Sequence, residues 1–327
     1  MNIIPDSIDF AAYMKQTMHK ANVIPAKKFL DDLQKTFVKK EKKTRVYLPW
    51  YKTRNSFDFR AGELTVWAGA NGHGKSLVTT QVFMSLLGQE QKVCVASLEM
   101  PVIKTNLRML RMYSHYNPEE SEDYPFTDKQ REIFSDTAEE MSGWYEKNLW
   151  FFAKTGNFDP EVILGMVRYC ATELGIQHII IDNLQKCIRG TDDYNAEKDF
   201  VSDLFDAAKE TGCHVHLVHH TKKMDKEESM PDKNDIKGSS SITDIVDNVF
   251  LVWRNKAKEN ELKTKSQLTK HKDAFDSFLN CVKQRHYSGS DNGEPLIGLY
   301  FDKQSTQFKG DETAPLMDFY KQWPHVN

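Results

Sequence analysis

The segment Gly69-Ala-Asn-Gly-His-Gly74-Lys75-Ser76 decides the fold, because it fits the pattern G-x-x-x-x-G-K-[ST] at every fixed position. An apolar run at 64–68 precedes it, and a helical pattern of apolar residues follows it. A strand, a glycine loop and a helix in this order let backbone N–H groups and a helix N-terminus surround phosphates. A plain glycine turn is the alternative interpretation. We predict a nucleoside triphosphate ligand, held by Gly69, Ala70, Asn71, Gly72, His73, Gly74, Lys75, Ser76 and Leu77.

Composition narrows the class of protein further. The chain has 327 residues with 28% charged residues and a net charge of −3, so it is not basic as a whole. Any contact with nucleic acid must come from a local patch, or from a ring that concentrates a few cations. No apolar run approaches the roughly 20 residues of a membrane span, and no signal-peptide layout opens the sequence. We therefore expect a cytoplasmic protein without a membrane partner.

The five cysteines have no metal-ligand spacing, and three of them lie in apolar, strand-like runs. We expect buried, reduced thiols. These residues are Cys94, Cys170, Cys187, Cys213 and Cys281.

From residue 62 onward, apolar strand-like runs alternate with helical patterns, which predicts an α/β fold with a mostly parallel sheet. The predicted strands are 64–69, 92–98, 149–153, 178–182, 213–219, 247–253, 279–284 and 296–302. The predicted helices are 76–88, 101–115, 127–147, 159–175 and 195–211. The polar segments 221–240 and 255–276 are predicted as exposed loops, the second of them partly disordered.

Residues 1–44 are predicted as a helical N-terminal arm, 45–61 as a linker and 62–327 as the ATPase domain. Within the arm, Phe29, Leu30, Leu33 and Phe37 have the spacing of an amphipathic helix of roughly four turns. Two interpretations stay open for this helix: it folds back on its own domain, or it docks on a neighbouring subunit.

Hydrolysis of a triphosphate needs a carboxylate for Mg²⁺, a group that activates water, and positive charge near the γ-phosphate. Asp182 ends the apolar run His178-Ile-Ile-Ile-Asp182, so it is predicted to hold Mg²⁺ together with the Ser76 hydroxyl. Lys75 is predicted to reach the β- and γ-phosphates, and Glu99, at the end of the next strand, to activate water. A turn or cap role is the alternative for each of the two acids.

Two later strands also end in polar groups. His219 and His220 follow one of them, and His220 is a candidate contact for the γ-phosphate. Arg285 ends a strand so late in the chain that we do not expect it to reach its own phosphate loop. It is instead a candidate arginine supplied to the site of the next subunit, where such residues accelerate hydrolysis by roughly 10³–10⁵.

The order of these motifs resembles that of the RecA-like ATPase domain of DnaB-like replicative helicases and phage primase-helicases, over about 62 to 310. The matching segments are Gly62-Glu-Leu64, Ser97-Leu-Glu99-Met100, Asp182-Asn-Leu-Gln185 and Lys283-Gln-Arg285. The resemblance implies that Glu99 is the catalytic base and that His220 senses the γ-phosphate. It also implies that Lys283 and Arg285 reach the nucleotide of a neighbouring subunit.

Asp235-Ile-Lys237-Gly238-Ser239-Ser240 is similar to the DNA-binding loop of that family. The resemblance implies that Lys237, Gly238, Ser239 and Ser240 bind single-stranded DNA. Glycine permits close approach of the backbone, serines donate hydrogen bonds and lysine neutralises phosphate charge.

The family resemblance implies a homo-oligomeric, hexameric ring that uses ATP and Mg²⁺ to move 5′ to 3′ on one DNA strand. Primase, a polymerase or a loader are the partners it suggests. Two departures stand out: the domain that recruits primase is not found before residue 62, and segment 255–276 is longer than the resemblance implies. A recombinase or mediator that forms filaments on DNA, and a nucleotide-gated accessory ATPase, are the rival interpretations.

Overall fold

The computed structural model describes residues 2–3, 7–17, 45–119, 125–188, 193–222, 229–236, 240–264, 273–286 and 296–319. Its helices are α1 (Phe10–Thr17), α2 (Lys75–Gly88), α3 (Val102–Ser114), α4 (Asp128–Tyr145), α5 (Pro160–Thr172), α6 (Tyr194–Thr211), α7 (Ser240–Ile245) and α8 (Lys256–Lys263). Its strands are β1 (Asn2–Ile3), β2 (Leu64–Gly69), β3 (Val93–Ser97), β4 (Leu149–Phe151), β5 (His178–Asp182), β6 (His214–His220), β7 (Asn248–Arg254), β8 (Ser277–Gln284), β9 (Leu296–Phe301) and β10 (Phe308–Lys309).

The described strands form one sheet in the order β1-β4-β3-β5-β6-β2-β7-β8-β9-β10. Every pairing from β1 to β7 is parallel, and the pairings from β7 to β10 are antiparallel. The predicted α/β class with a mostly parallel sheet is therefore confirmed. Because parallel strands end at a common edge, the residues that follow β2, β3, β5 and β6 meet there.

Alternation along β2 shows how the strand builds the core. Leu64, Val66 and Ala68 face the hydrophobic cluster that α5 and α6 cover, whereas Trp67 faces the cluster that α2 covers. Successive strand side chains point to opposite faces, so a strand buried on both sides reads as a continuous apolar run. Full burial of a large apolar side chain contributes roughly 1.5–3 kcal/mol. Both layers of helices thus hold the strand that carries the phosphate loop.

Local sequence signals set the ends of several helices. At the start of α4, Thr127 and Gln130 form a reciprocal capping box. Pro160 occupies the first turn of α5, where its missing N–H is not needed. Gly212 ends α6 with a φ of 74°, a left-handed conformation that is common for glycine at the end of a helix.

Residues 45–60 differ from the linker interpretation, because they pack against the sheet as part of the core. The Trp50 indole N–H donates to the carbonyl of Phe308 at 2.8 Å. The apolar positions 46, 48 and 50, and then 57 and 59, are spaced two apart, but each run is too short to be predicted as a strand. The buried apolar side chains are Val46, Leu48, Trp50, Phe57 and Phe59.

Segment 255–276 also differs from prediction, because part of it is ordered secondary structure. Its described residues contain helix α8, and Asn255 at the N-terminus of this helix accepts a hydrogen bond from Lys258 N–H at 3.1 Å. Residues 265–272 lie outside the described part of the chain.

The described part of the N-terminal arm folds back on its own domain. Helix α1 packs on α5 so closely that a Cβ at Gly165 would lie 2.1 Å from the Phe10 carbonyl oxygen. The Phe10 ring also contacts those of Phe152 and Tyr169 edge-on, with centroids 6.1 and 5.9 Å apart. The predicted docking face, Phe29, Leu30, Leu33 and Phe37, lies outside the described residues and stays a prediction.

None of the helices among the described residues is long and apolar enough to cross a membrane. All five cysteines are buried, and no disulfide joins them.

Candidate nucleotide-binding site

The predicted phosphate loop connects β2 directly to α2. Gly72 and Gly74 have φ values of 75° and 88°, a left-handed conformation that favours glycine. This conformation turns the chain from the last residue of β2 into the first turn of α2, where backbone N–H groups have no helical partner. Asn71 and Gly72 are exposed at the tip of the loop, and Ala70 is half-buried. The loop therefore offers a group of backbone donors at the edge of the sheet where the parallel strands end.

Lys75 lies across this loop. Its ammonium group donates to the carbonyl oxygens of Gly69 at 2.8 Å and Ala70 at 3.0 Å. Burial lowers the pKa of Lys75 to about 8, while the carboxylates of Asp182 and Glu99 act in the opposite direction. A buried ammonium of this kind gains most from an anionic partner, because burial penalises its charge. The geometry suits a group that binds phosphate.

Ser76 and Asp182 meet at the edge of the sheet. The Ser76 hydroxyl donates to Oδ2 of Asp182 at 2.8 Å. Burial raises the pKa of Asp182 and Glu99 adds to this, whereas Ser76, Arg108 and Lys75 favour the charged carboxylate. A hydroxyl and a carboxylate oxygen at this separation fit a Mg²⁺ ion, which commonly takes one or two protein oxygens beside those of phosphates. The described residues include no cluster of three or more His, Cys, Asp or Glu that could hold a metal without such help.

Glu99 is exposed just beyond the end of β3. Ser97 and Asp182 are register partners on β3 and β5, so Glu99 and Asp182 leave neighbouring strands at the same edge. The Glu99 carboxylate raises the pKa values of both Lys75 and Asp182. It is therefore close to both groups while open to water, as a residue that activates water must be.

His220 ends β6 beside the phosphate loop, because it is the register partner of Gly69. Its Nε2 lies 2.9 Å from Nδ2 of Asn183, the residue that follows Asp182. An amide nitrogen can only donate, so Nε2 of His220 accepts and the ring is oriented by the segment that carries Asp182.

Arg108 joins this group, although no motif in the sequence points to it. This half-buried residue lies on α3, and its Nη1 donates to the carbonyl of Ser76 at 3.2 Å. Burial lowers the pKa of Arg108, and Asp182 opposes that shift. Only the packing of α3 against α2 brings this cation to the site, so no spacing along the chain could predict it.

His73 has a different role from the other loop residues. Its imidazole is buried and its Nδ1 accepts a hydrogen bond from the backbone N–H of Arg254 at 3.2 Å. The side chain therefore ties the loop to the end of β7.

Lys283 and Arg285 lie at the opposite edge of the sheet. Gln284 pairs with Asn248, the first residue of β7, and the Arg285 N–H donates to the carbonyl of Asp247. The six residues of β2 span roughly 20 Å, which separates these two cations from the phosphate loop of the same chain.

Both cations bind the C-terminal end of α7. Lys283 Nζ lies 2.9 Å from the carbonyl oxygen of Asp244, and Arg285 Nη2 lies 2.7 Å from that of Ile245. Arg285 Nη1 is also 3.6 Å from Oδ1 of Asp247, a fully buried carboxylate. Cations at the end of a helix satisfy its last carbonyl groups and complement its dipole.

The predicted DNA-binding loop is described only at its two ends. Ile236 pairs with Thr221 beyond the end of β6, and Ser240 begins α7. Lys237, Gly238 and Ser239 lie outside the described residues.

Comparison with known proteins shows the family of this chain and the fold that it shares with solved structures. A family model described as an AAA domain matches residues 38–226, more than half of the chain. The solved ATPase domain of another protein matches with a TM-score of 0.67 and 15% identity, over 89% of this chain and 99% of its own length.

A DnaB-like replicative helicase, solved with its interactions with primase, matches with a TM-score of 0.66 and 15% identity. The match covers 90% of this chain and 68% of the helicase chain. At 15% identity the likeness shows a shared fold. It confirms the predicted resemblance to DnaB-like helicase ATPase domains at the level of the fold.

Proposed function

This chain belongs to the AAA-domain family, and from that premise we propose that it hydrolyses ATP to move along single-stranded DNA. The observation that carries the proposal is the 2.8 Å contact between Ser76 and Asp182, beside the buried ammonium of Lys75. A phosphate loop, a hydroxyl and a carboxylate in this arrangement are the parts that phosphoryl transfer requires.

In this proposal Ser76 and Asp182 hold Mg²⁺, which neutralises charge on the β- and γ-phosphates. Lys75 binds the same phosphate oxygens, and Glu99 accepts a proton from the attacking water. Glu99 suits that task because it is exposed at the site, while Lys75 and Asp182 nearby bind the nucleotide and its ion. His220, which Asn183 orients, contacts the γ-phosphate.

We further propose that the active assembly is a homo-oligomeric ring, hexameric as in the family resemblance. Lys283 and Arg285 lie roughly 20 Å from their own phosphate loop. In a head-to-tail ring, each subunit presents this edge to the nucleotide of its neighbour. The two cations would there stabilise charge on the transferring phosphoryl group.

The loop at 235–240 is proposed to bind single-stranded DNA through Lys237, Gly238, Ser239 and Ser240, with movement 5′ to 3′. The described ends of this loop support a link to hydrolysis. One end follows β6, which carries His220, and the other begins α7, whose carbonyl groups bind Lys283 and Arg285. Primase, a polymerase or a loader are the proposed protein partners, and the bacterial or phage-infected cytoplasm is the proposed compartment.

A mixing experiment tests the shared site. Lys75→Ala removes the phosphate-binding lysine and keeps Arg285, whereas Arg285→Ala keeps the pocket and removes the arginine. Each variant alone should lack ATPase activity. In an equal mixture, about a quarter of the interfaces combine an intact pocket with an intact arginine, so about a quarter of the wild-type rate should return. A mixture as inactive as its components contradicts a site shared between subunits.

Electron microscopy with a non-hydrolysable ATP analogue and a single-stranded oligonucleotide, together with an unwinding assay, tests the assembly. Closed rings and unwinding support the helicase. Open filaments without unwinding favour a recombinase, and ATP turnover that DNA does not stimulate favours an accessory ATPase.

A further inference from the structure

A cavity of about 260 Å³ lies beside the phosphate loop, on the side of β7 and away from Asp182. The loop and α2 line it with Gly74 and Leu77, and Phe301 and Phe308 line it from the last two strands. The remaining wall is α8, which contributes Leu262. This helix belongs to segment 255–276, the insertion that the family resemblance does not explain.

Helix α8 is fixed to the sheet at its N-terminal end. The Asn255 N–H donates to the carbonyl of Asp276 at 2.9 Å, which closes the base of the insertion. Lys258 is buried, and its ammonium group bonds the Asp276 carboxylate at 2.9 Å and the carbonyl of Ala274 at 2.6 Å. Charge-assisted hydrogen bonds from a buried ammonium group favour one geometry, so α8 is a wall of the cavity with a set position.

The same wall is connected to the phosphate loop through Arg254. The side chain of Arg254 forms an ion pair with Glu259 on α8, and its Nη1 lies 3.4 Å from the carbonyl oxygen of Gly72. Its backbone N–H donates to His73. The loop that takes phosphates and the helix that walls the cavity are therefore held together by one residue.

The size and surface of the cavity suit the nucleoside part of a nucleotide. A Cβ at Gly74 would lie 3.5 Å from Cζ of Phe308, so the aromatic floor begins where the phosphate loop ends. The centroids of the Phe301 and Phe308 rings are 5.0 Å apart. Ligand pockets measure roughly 300–1,000 Å³, so this cavity takes a base with part of its sugar, and not a whole nucleotide.

We propose that α8 forms the outer wall of the nucleoside subsite and that Leu262 packs against the purine base of the bound triphosphate. The inference rests on the proposed function, since it assumes that the phosphate loop binds ATP. Leu262 is 56% exposed. A base seated between it and the aromatic floor removes apolar surface from water on both sides, which favours binding.

Binding of ATP and of inorganic tripolyphosphate to the same variants tests the inference, because only ATP carries a base. Leu262→Ala should weaken ATP binding about five-fold and leave tripolyphosphate binding unchanged, as measured by calorimetry. The matched control is Leu296→Ala, which truncates another leucine that is 53% exposed, on β9, and should change neither affinity.

Lys75→Ala should weaken both ligands, which separates the phosphate subsite from the nucleoside subsite. Equal losses for both ligands in Leu262→Ala, or no loss for ATP, overturn the role of α8. A wild-type chain that binds neither ligand contradicts the proposed function itself.

Discussion

Acidification should destabilise this protein, because three histidines at the start of β5 and β6 are buried as neutral rings. The Trp67 indole N–H donates to Nδ1 of His216 at 3.3 Å, and Nε2 of His216 lies 3.1 Å from Nδ1 of His178. His214 donates from Nδ1 to the carbonyl of Arg60 at 2.7 Å. Burial is the main influence: it lowers the pKa of His214 to about 4 and the pKa values of His178 and His216 well below their usual range.

The lowered pKa values of these histidines determine how stability changes with pH. The unfolded chain takes up protons on histidine below a pKa of about 6.5, whereas the folded chain does not until a much lower pH. The stabilisation is therefore fully present above pH 6.5 and is lost as the pH falls toward the folded pKa values. Between pH 6.5 and 5.0 each histidine should remove about 1.6 kcal/mol from the free energy of unfolding, or about 5 kcal/mol for the three. That loss is comparable to the total stability of a marginal domain, roughly 5–15 kcal/mol.

Urea denaturation at pH 7.5, 6.5 and 5.0 measures this loss. Burial raises the pKa values of Glu63 and Asp182, which acts in the opposite direction, so a variant isolates the histidine contribution. His214→Asn keeps an N–H group that can donate to the carbonyl of Arg60. It should lose about 1.6 kcal/mol less than the wild type between pH 6.5 and 5.0. Identical pH dependence in the two proteins would refute the reasoning.

Three further predictions concern the proposed site. Arg108→Gln should lower kcat with little change in KM. Because Arg108 favours the charged form of Asp182, the acid limb of the pH–rate profile should also move to higher pH. An acid limb that does not move would show that Arg108 does not act on the ionisation of Asp182. Gly69→Ala should lower Tm and abolish nucleotide binding, because its Cβ would lie 2.5 Å from a carbonyl oxygen of β7. The control is Gly143→Ala, at an exposed position on α4, which should raise the free energy of unfolding by about 0.5–1 kcal/mol. Lys237→Ala should weaken binding to single-stranded DNA and reduce its salt dependence by about one charge, and an unchanged salt slope in a binding titration would argue against the loop.

The residues at the edge of the sheet that carries the phosphate loop were predictable from sequence, because each motif there has a fixed spacing or directly follows an apolar strand. His178-Ile-Ile-Ile-Asp182 is a strand buried on both faces, and its predicted bounds match β5. A carboxylate at the end of such a strand comes to the common edge whatever the connecting helices do. The contact between Ser76 and Asp182 follows from that topology.

The missed features depend on packing between segments distant in the chain. Arg108 reaches the site only because α3 lies against α2, and residues 45–60 are buried by an irregular path along the sheet. The first arrangement leaves no period in the sequence, and the second leaves only two short alternations, at 46–50 and at 57–59. The roles of Lys283 and Arg285 in a neighbouring subunit remain a prediction, and within one chain these residues instead bind the end of α7.

The pairing of Asn255 with Asp276 means that the chain leaves and rejoins the antiparallel hairpin β7–β8 at a single point. Whatever length of polypeptide lies between, the register of the two strands stays the same, because the entropy of closing a longer loop rises by only about 0.6 kcal/mol per doubling. Extra residues inserted between α8 and Asp276 would therefore leave both strands and the position of α8 in place.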